Sequence, residues 1–239
     1  MQRKGLEFSI SKKVGRAIAD YDMIKDGDRI LVAVSGGKDS LTLFRILSQR
    51  RSFVPIQYDL LAIYVDLGYP CIREGALKKF LKEQGATLHI TKKKILKKGK
   101  SSTKISCFWC SWNRRKVLFE AAQKYQCNKI ALGHHKDDIV QTILMNLLFE
   151  GEISAMVPNQ EMFKGKISII RPLAYVEEKE IEELVKLWDL PVSQCVCPNS
   201  ETSRRTEVKE FLNELQEICP GVKTNVFRSL QRIKKDYLL

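Results

Sequence analysis

A chain of 239 residues with 44% apolar content can bury the core of one ordinary α/β domain plus a modest extension, and it is too apolar for a disordered protein. No run of about 18 apolar residues occurs, and Met1-Gln2-Arg3-Lys4 leads into no apolar signal core, so a cytoplasmic protein with no membrane association is expected. The 41 basic residues outnumber the 28 acidic ones by 13, an excess that favours polyanionic partners.

Helix and strand signals alternate along the chain. Ile10, Val14, Ala17, Ile18 and Tyr21 predict an amphipathic helix over 9–22, broken by Asp26-Gly27-Asp28. Ile30 to Val34 has the length of a buried strand, and Leu41, Phe44 and Leu47 mark a helix starting near Ser40. Between them lies Ser35-Gly36-Gly37-Lys38-Asp39-Ser40. Paired glycines at a strand-to-helix turn let a ligand approach the backbone. The N–H groups there, backed by a helix N-terminus, suit an anion such as phosphate. Lys38 adds positive charge, and Ser35 and Ser40 supply hydroxyl donors. The same Gly-Gly could mark only a tight turn. A Walker A loop is excluded, because Val32 stands where that pattern needs its first glycine.

A second strand is expected over Tyr58–Val65, closing with Asp66-Leu67-Gly68. Asp66, at a strand's carboxyl end, reads either as a nucleotide contact or as a turn residue. A helix over 72–84 and a short strand near Thr87–Ile90 follow, with His89 a structural residue. The lysines of Lys92–Lys100 are either a solvated surface or a site of RNA phosphate contact. Cys107-Phe108-Trp109-Cys110 leads into a helix through Arg114, Arg115 and Leu118.

A strand at Lys129–Leu132 ends in Gly133-His134-His135-Lys136-Asp137-Asp138, ahead of a helix with Val140, Ile143, Leu144 and Leu147 on one face. Ile167–Ile170 runs as a strand into Arg171-Pro172-Leu173, and Ile181, Leu184, Val185 and Trp188 place a helix at 177–188. Cys195-Val196-Cys197-Pro198 intervenes before a helical end that starts with Val208, Phe211, Leu212 and Leu215. This alternation predicts an α/β fold with a doubly wound, mostly parallel sheet. The expected organisation is an N-terminal helical segment (1–28), a nucleotide-binding domain (29–190) and a C-terminal segment with basic helices (191–239). Seven cysteines without an export signal argue for metal or redox chemistry rather than disulfides. Cys71, Cys127 and Cys219 sit in apolar contexts and read as buried side chains.

Taken in order, these strings resemble the tRNA 2-thiocytidine synthetase family (the TtcA type) of PP-loop ATP pyrophosphatases over nearly the whole chain. The likeness runs from Gly15-Arg16-Ala17-Ile18-Ala19-Asp20 and Gly27-Asp28-Arg29 through Ser35–Ser40 and Cys107-x-x-Cys110 with Arg114-Arg115. It continues in Ala131-Leu132-Gly133-His134-His135, Asp137-Asp138-Ile139-x-Gln141-Thr142 and Arg171-Pro172-Leu173-Ala174-Tyr175, and ends in Cys197, Arg205 and Pro220-Gly221.

The resemblance implies replacement of the C2 oxygen of a cytidine (position 32) in the tRNA anticodon loop by sulfur, through an adenylated intermediate. It implies ATP, Mg²⁺ and a [4Fe-4S] cluster as cofactors, and a cysteine desulfurase or inorganic sulfide as sulfur donor. It is compatible with a homodimer. Ser35, Gly36, Gly37, Lys38, Asp39 and Ser40 are implied to bind ATP and Mg²⁺, with Asp66, Gly133 and His134 completing the nucleotide site. Asp39, Arg114 and Asp137 are the candidate catalytic residues, although Asp137 could also be a helix N-cap and Arg114 a surface residue.

Cys107, Cys110 and Cys197 are the implied cluster ligands. Cys197 keeps the family's spacing to Arg205, whereas Cys195 shifts it by two. Related uridine thiolases carry zinc-binding cysteine pairs at both ends, outside the span Cys71–Cys219 seen here. tRNA is expected to contact Lys92–Lys100 and a terminal basic helix with Arg228, Arg232, Lys234 and Lys235. Two other readings stand beside this one. The first is another tRNA-modifying PP-loop enzyme making 2-thiouridine or lysidine, and the second is a non-catalytic, zinc-containing RNA-binding protein.

Overall fold

The computed structural model describes residues 2–68, 73–93, 107–193 and 204–237. Its centre is a sheet of β1 (Asp28–Ala33), β2 (Tyr58–Asp66), β3 (Leu88–Lys92), β4 (Lys129–Ala131), β5 (Asn159–Met162) and β6 (Ile167–Ile170). The strand order is β3-β2-β1-β4-β6-β5, parallel except for the β5–β6 pair. The expected doubly wound, mostly parallel sheet is therefore present. β5 has no counterpart among the expected strands. Asn159-Gln160-Glu161-Met162 is a polar edge strand, and it pairs only because the turn at Phe163, Lys164 and Gly165, all at positive φ, folds it back onto β6.

Alternate residues of the strands feed opposite layers, as a pleated backbone dictates. Ile30, Val32, Ala62, Ala131 and Ile170 face one layer. That layer holds α1 (Gln2–Asp20), α2 (Lys38–Arg50), α3 (Glu74–Glu83) and α6 (Glu178–Trp188). Leu31, Ile63, Val65 and Ile130 face α4 (Cys107–Lys124), whose Val117, Leu118, Ala121 and Ala122 complete a second core. α1 begins well before the apolar signal at 9–22 and buries Ile10, Val14 and Ala17 in the main core. Lys13 ties it to Glu180 of α6 at 2.7 Å, within the helical layer that α1 shares with α2, α3 and α6.

α5 (Lys136–Met145) stands at the carboxyl edge of the sheet, and α7 (Arg204–Ile218) and α8 (Val222–Ser229) pack on it. Val140 meets Val208 and Leu212, and Ile139 and Ile143 meet Ala174 and partners on α8. The C-terminal segment thus closes over the end of the sheet where ligands collect in such folds.

Two expectations need correction. Cys219 is exposed rather than buried, because it lies just past the end of α7 where the chain turns toward α8, while Cys127 is buried as expected. The terminal basic residues do not share one helix: α8 ends at Ser229, Arg232 and Lys234 follow in irregular chain, and Lys235 opens a short 3₁₀ turn. Among the described residues, no helix is long and apolar enough to cross a membrane.

Candidate active site

β1 and β4 are neighbours whose following strands lie in opposite directions along the sheet, β2 beside β1 and β6 beside β4, the arrangement in which a crevice opens at the carboxyl ends. The loop Ser35–Gly37 fills one side of it. Gly36 takes φ +82°, a backbone region that side chains resist. Ser35 and Ser40 spend their hydroxyls on the loop itself. Ser40 Oγ accepts from the Ser35 amide at 3.1 Å and donates to the Gly37 carbonyl at 3.0 Å, and Ser35 Oγ accepts from the Gly37 amide at 3.3 Å. These bonds hold the loop in place, so the serines act first as its frame.

Gly133, at the end of β4, closes the crevice from the other side. A Cβ there would stand 3.0 Å from the Asp39 carbonyl carbon and the Ser40 amide nitrogen, which only glycine avoids. Gly133 therefore seats the two loops against each other.

Charge is concentrated at the start of α2. Lys38 Nζ bonds Glu178 Oε1 at 2.9 Å, and Lys209 reaches the same carboxylate at 2.7 Å. Burial pushes the Glu178 carboxyl up, but the hydrogen bonds from Lys209 and Lys38 outweigh it and hold it at about 2. Glu178 thus keeps Lys38 poised beside the loop.

Asp39 differs. Its Oδ1 is buried and accepts no hydrogen bond, although Lys38 Nζ stands 3.4 Å and His135 Nε2 3.9 Å away. Burial pushes its carboxyl up, against the opposing charge of the Lys38 ammonium. An orphaned anionic oxygen at a phosphate loop fits a divalent cation such as Mg²⁺, which takes one or two carboxylates beside phosphate oxygens.

The two aspartates opening α5 have separate tasks. Asp137 is buried, and both its oxygens are engaged: Oδ1 with Lys223 Nζ at 2.7 Å and Oδ2 with the Glu178 amide at 2.8 Å. It locks α5, α6 and α8 together. The N-cap of α5 is His135, and Asp138 reaches back to its amide at 3.1 Å. Asp138 also meets Arg205 at 3.2 Å. Replacing Lys223 by Met should leave a buried, uncompensated carboxylate and cost about 3 kcal/mol. Urea unfolding would measure this, and the double variant with Asp137→Asn should recover part of the loss. Full stability in Lys223→Met alone would show that the pair carries no weight.

His134 is largely buried, with Nδ1 unpartnered, and burial holds its imidazole down at about 4, so it is neutral at physiological pH. Asp66 serves its own turn, accepting from the Gly68 amide at 2.8 Å, while its carbonyl accepts from the Lys93 amide at 2.7 Å. Arg114 is exposed on α4, close enough to Tyr64 of β2 for its charge to act on the phenol.

Cys107 and Cys110 occupy the first turn of α4, a spacing that sets both on one helical face. Cys110 is half-buried against the core that includes Val65 and Leu67, at the carboxyl end of β2. Cys197 lies outside the described residues, as does Lys94–Lys100. The chain on either side of Cys197 is anchored in the crevice. The Ser193 amide donates to the Gly36 carbonyl at 2.9 Å, and Arg205 meets Asp138. Two cysteines three positions apart on one helical turn are a soft donor pair whose chemistry fits a cluster of iron and sulfide.

The residues that sequence reasoning missed are Glu178, Lys209 and Lys223, all polar members of ordinary amphipathic helices with nothing local to single them out.

A family model described as a PP-loop domain matches residues 6–205. The tRNA-cytidine(32) 2-sulfurtransferase of Geobacter sulfurreducens is 42% identical, covering 96% of this chain and 91% of its own. This chain belongs to the tRNA-cytidine(32) 2-sulfurtransferase family of PP-loop proteins. The sulfurtransferase of that name from Paracidovorax citrulli is 39% identical over 98% of this chain and 77% of its own. Among solved structures, the U34-tRNA thiolase NcsA from Methanococcus maripaludis, with its [4Fe-4S] cluster, superposes with a TM-score of 0.80. It is 27% identical, and the match covers 96% of this chain and 79% of NcsA. Within this sulfurtransferase family the glycine loop, Gly133 and the α5 aspartates form a single crevice here, with α4 and its cysteines on the neighbouring side of the sheet.

Proposed function

We propose that this sulfurtransferase replaces the C2 oxygen of cytidine 32 in tRNA by sulfur, using ATP. The observation that supports the reading most is the bond between Ser193 and Gly36, which starts the Cys197 segment at the ATP loop. In this reading a sulfur-bearing site and an ATP site are neighbours.

In the proposed reaction the cytidine C2 oxygen attacks the α-phosphorus of ATP, pyrophosphate leaves, and a sulfide sulfur then adds at C2. The C2–O bond breaks and AMP departs, so no electrons change hands. The loop amides not spent on the serine hydroxyls and Lys38 would hold the β- and γ-phosphates, Lys38 exchanging Glu178 for phosphate oxygen, and Asp39 would hold Mg²⁺. Neutral His134 and Gly133 border the base of ATP, and Asp137 positions α5 and α6 rather than touching substrate. Arg114 and Arg205 supply positive charge where the adenylate forms. Cys107, Cys110 and Cys197 would hold the [4Fe-4S] cluster, which supplies an iron without a protein thiolate as a place for sulfide. The sulfide is inorganic sulfide, or it is released from a cysteine desulfurase's persulfide by a dithiol that is oxidised to its disulfide.

The test is nucleoside mass spectrometry of unmodified tRNA incubated with the cluster-loaded protein, ATP, Mg²⁺ and sulfide. 2-Thiocytidine at position 32, with pyrophosphate and AMP released, is the expected result. 2-Thiouridine or lysidine would overturn it, as would tightly bound zinc with no ATP turnover.

A further inference from the structure

The first turns of α4 carry a surface that the reaction does not use. Phe108 is 77% exposed, Trp109 49% and Trp112 46%. Trp109 and Trp112 stack with their planes 12° apart and centroids 5.4 Å apart. Asn113, itself buried, braces that turn by donating to the Trp109 carbonyl at 2.8 Å. Lys116 Nζ lies over the Trp112 ring at 5.6 Å. Arg114 and Arg115 are exposed on the same helix, and no acidic residue occurs from Cys107 to Phe119. The opposite side of α4, with Cys110, Val117 and Leu118, is committed to the core.

Two near-parallel, stacked indoles share the exposed turns of α4 with Arg114, Arg115 and Lys116 against one acidic neighbour, Glu120, 4.0 Å from Lys116, in a chain with a net charge of +13. Parallel stacked rings extend by adding another flat ring, and cations beside them match a phosphate backbone, which together suit a single-stranded nucleic acid. We propose that Trp109 and Trp112 form a stacking platform for unstacked bases of the tRNA anticodon loop, with Arg115 and Lys116 on the adjoining phosphates. This rests on the tRNA reading above. It places the loop at the helix end that carries Cys107 and Cys110.

The experiment measures affinity of the cluster-loaded protein for a tRNA transcript across a salt series, for wild type, Trp112→Leu, Trp112→Phe and Arg115→Gln/Lys116→Gln. Trp112→Leu should bind about 10-fold more weakly with its visible cluster absorption and its log–log salt slope unchanged, because a stacked base carries no counterion. Trp112→Phe should recover most of the affinity. The double Gln variant should instead flatten the salt slope by roughly 1 to 2. Wild-type affinity in Trp112→Leu overturns the platform while leaving the tRNA reading intact. So does normal tRNA binding with a selective loss of transfer from a cysteine desulfurase but not from sulfide, which would assign the surface to a protein donor. A wild-type protein that binds tRNA no better than a DNA hairpin of equal length overturns both.

Discussion

Cys197→Ala should lose the iron–sulfur chromophore and thiolation together, whereas Cys195→Ala should keep both. The choice between the two cysteines rests on the spacing to Arg205 that the family resemblance implies, and the described residues on either side are anchored at the crevice. Ser193 is bonded to Gly36, and Arg205 to Asp138, so the intervening chain begins and ends in the crevice. Cys197 is four residues beyond Ser193, a reach of at most about 14 Å. Outer-shell changes at metal sites typically cost ~10–100-fold, and loss of a ligand should exceed that. Iron content and visible absorption after anaerobic reconstitution give the readout independently of activity. A colourless Cys195→Ala protein beside a brown, active Cys197→Ala protein would reverse the assignment.

Asp39→Asn should reduce tRNA-dependent pyrophosphate release by about 10²–10³-fold, the scale of losing one preorganised electrostatic partner of the reacting phosphates. The amide keeps the volume of the carboxylate but not the charge by which Asp39 is proposed to hold Mg²⁺. Stability should not fall. Asp39 Oδ1 is buried without a hydrogen bond, and burial already pushes its carboxyl up, so the charge is held at a cost that the amide relieves. tRNA affinity should be unchanged. Undiminished pyrophosphate release would remove Asp39 from the reaction, and a loss of activity matched by unfolding would make it structural.

Much of the frame was legible because its signals are local. β1, the glycine loop and α2 follow from an apolar run, two glycines and a helical stripe within 20 residues of chain. The strand at Ile167–Ile170 and the helix ending at Trp188 lie where their apolar periods put them. β5 was not legible, since an edge strand need not be apolar and pairs through its backbone. Asp66 was open between ligand and turn, and the turn bond to Gly68 is visible only once the chain is folded.

The sequence by itself determined the loop, the family and the candidate ligands, because each is written in residue type and order over short spans. Only the tertiary structure decided what those residues touch. Asp39 and Asp137 are both carboxylates at helix starts, yet one has a bare buried oxygen and the other is clamped by Lys223 and the Glu178 amide. Gly133 proved to be a spacer against the loop backbone, and Glu178, 140 residues from Lys38, proved to be that lysine's partner. Such pairings depend on which distant elements the sheet brings together, and a pairing energy has no trace in either residue's own neighbourhood.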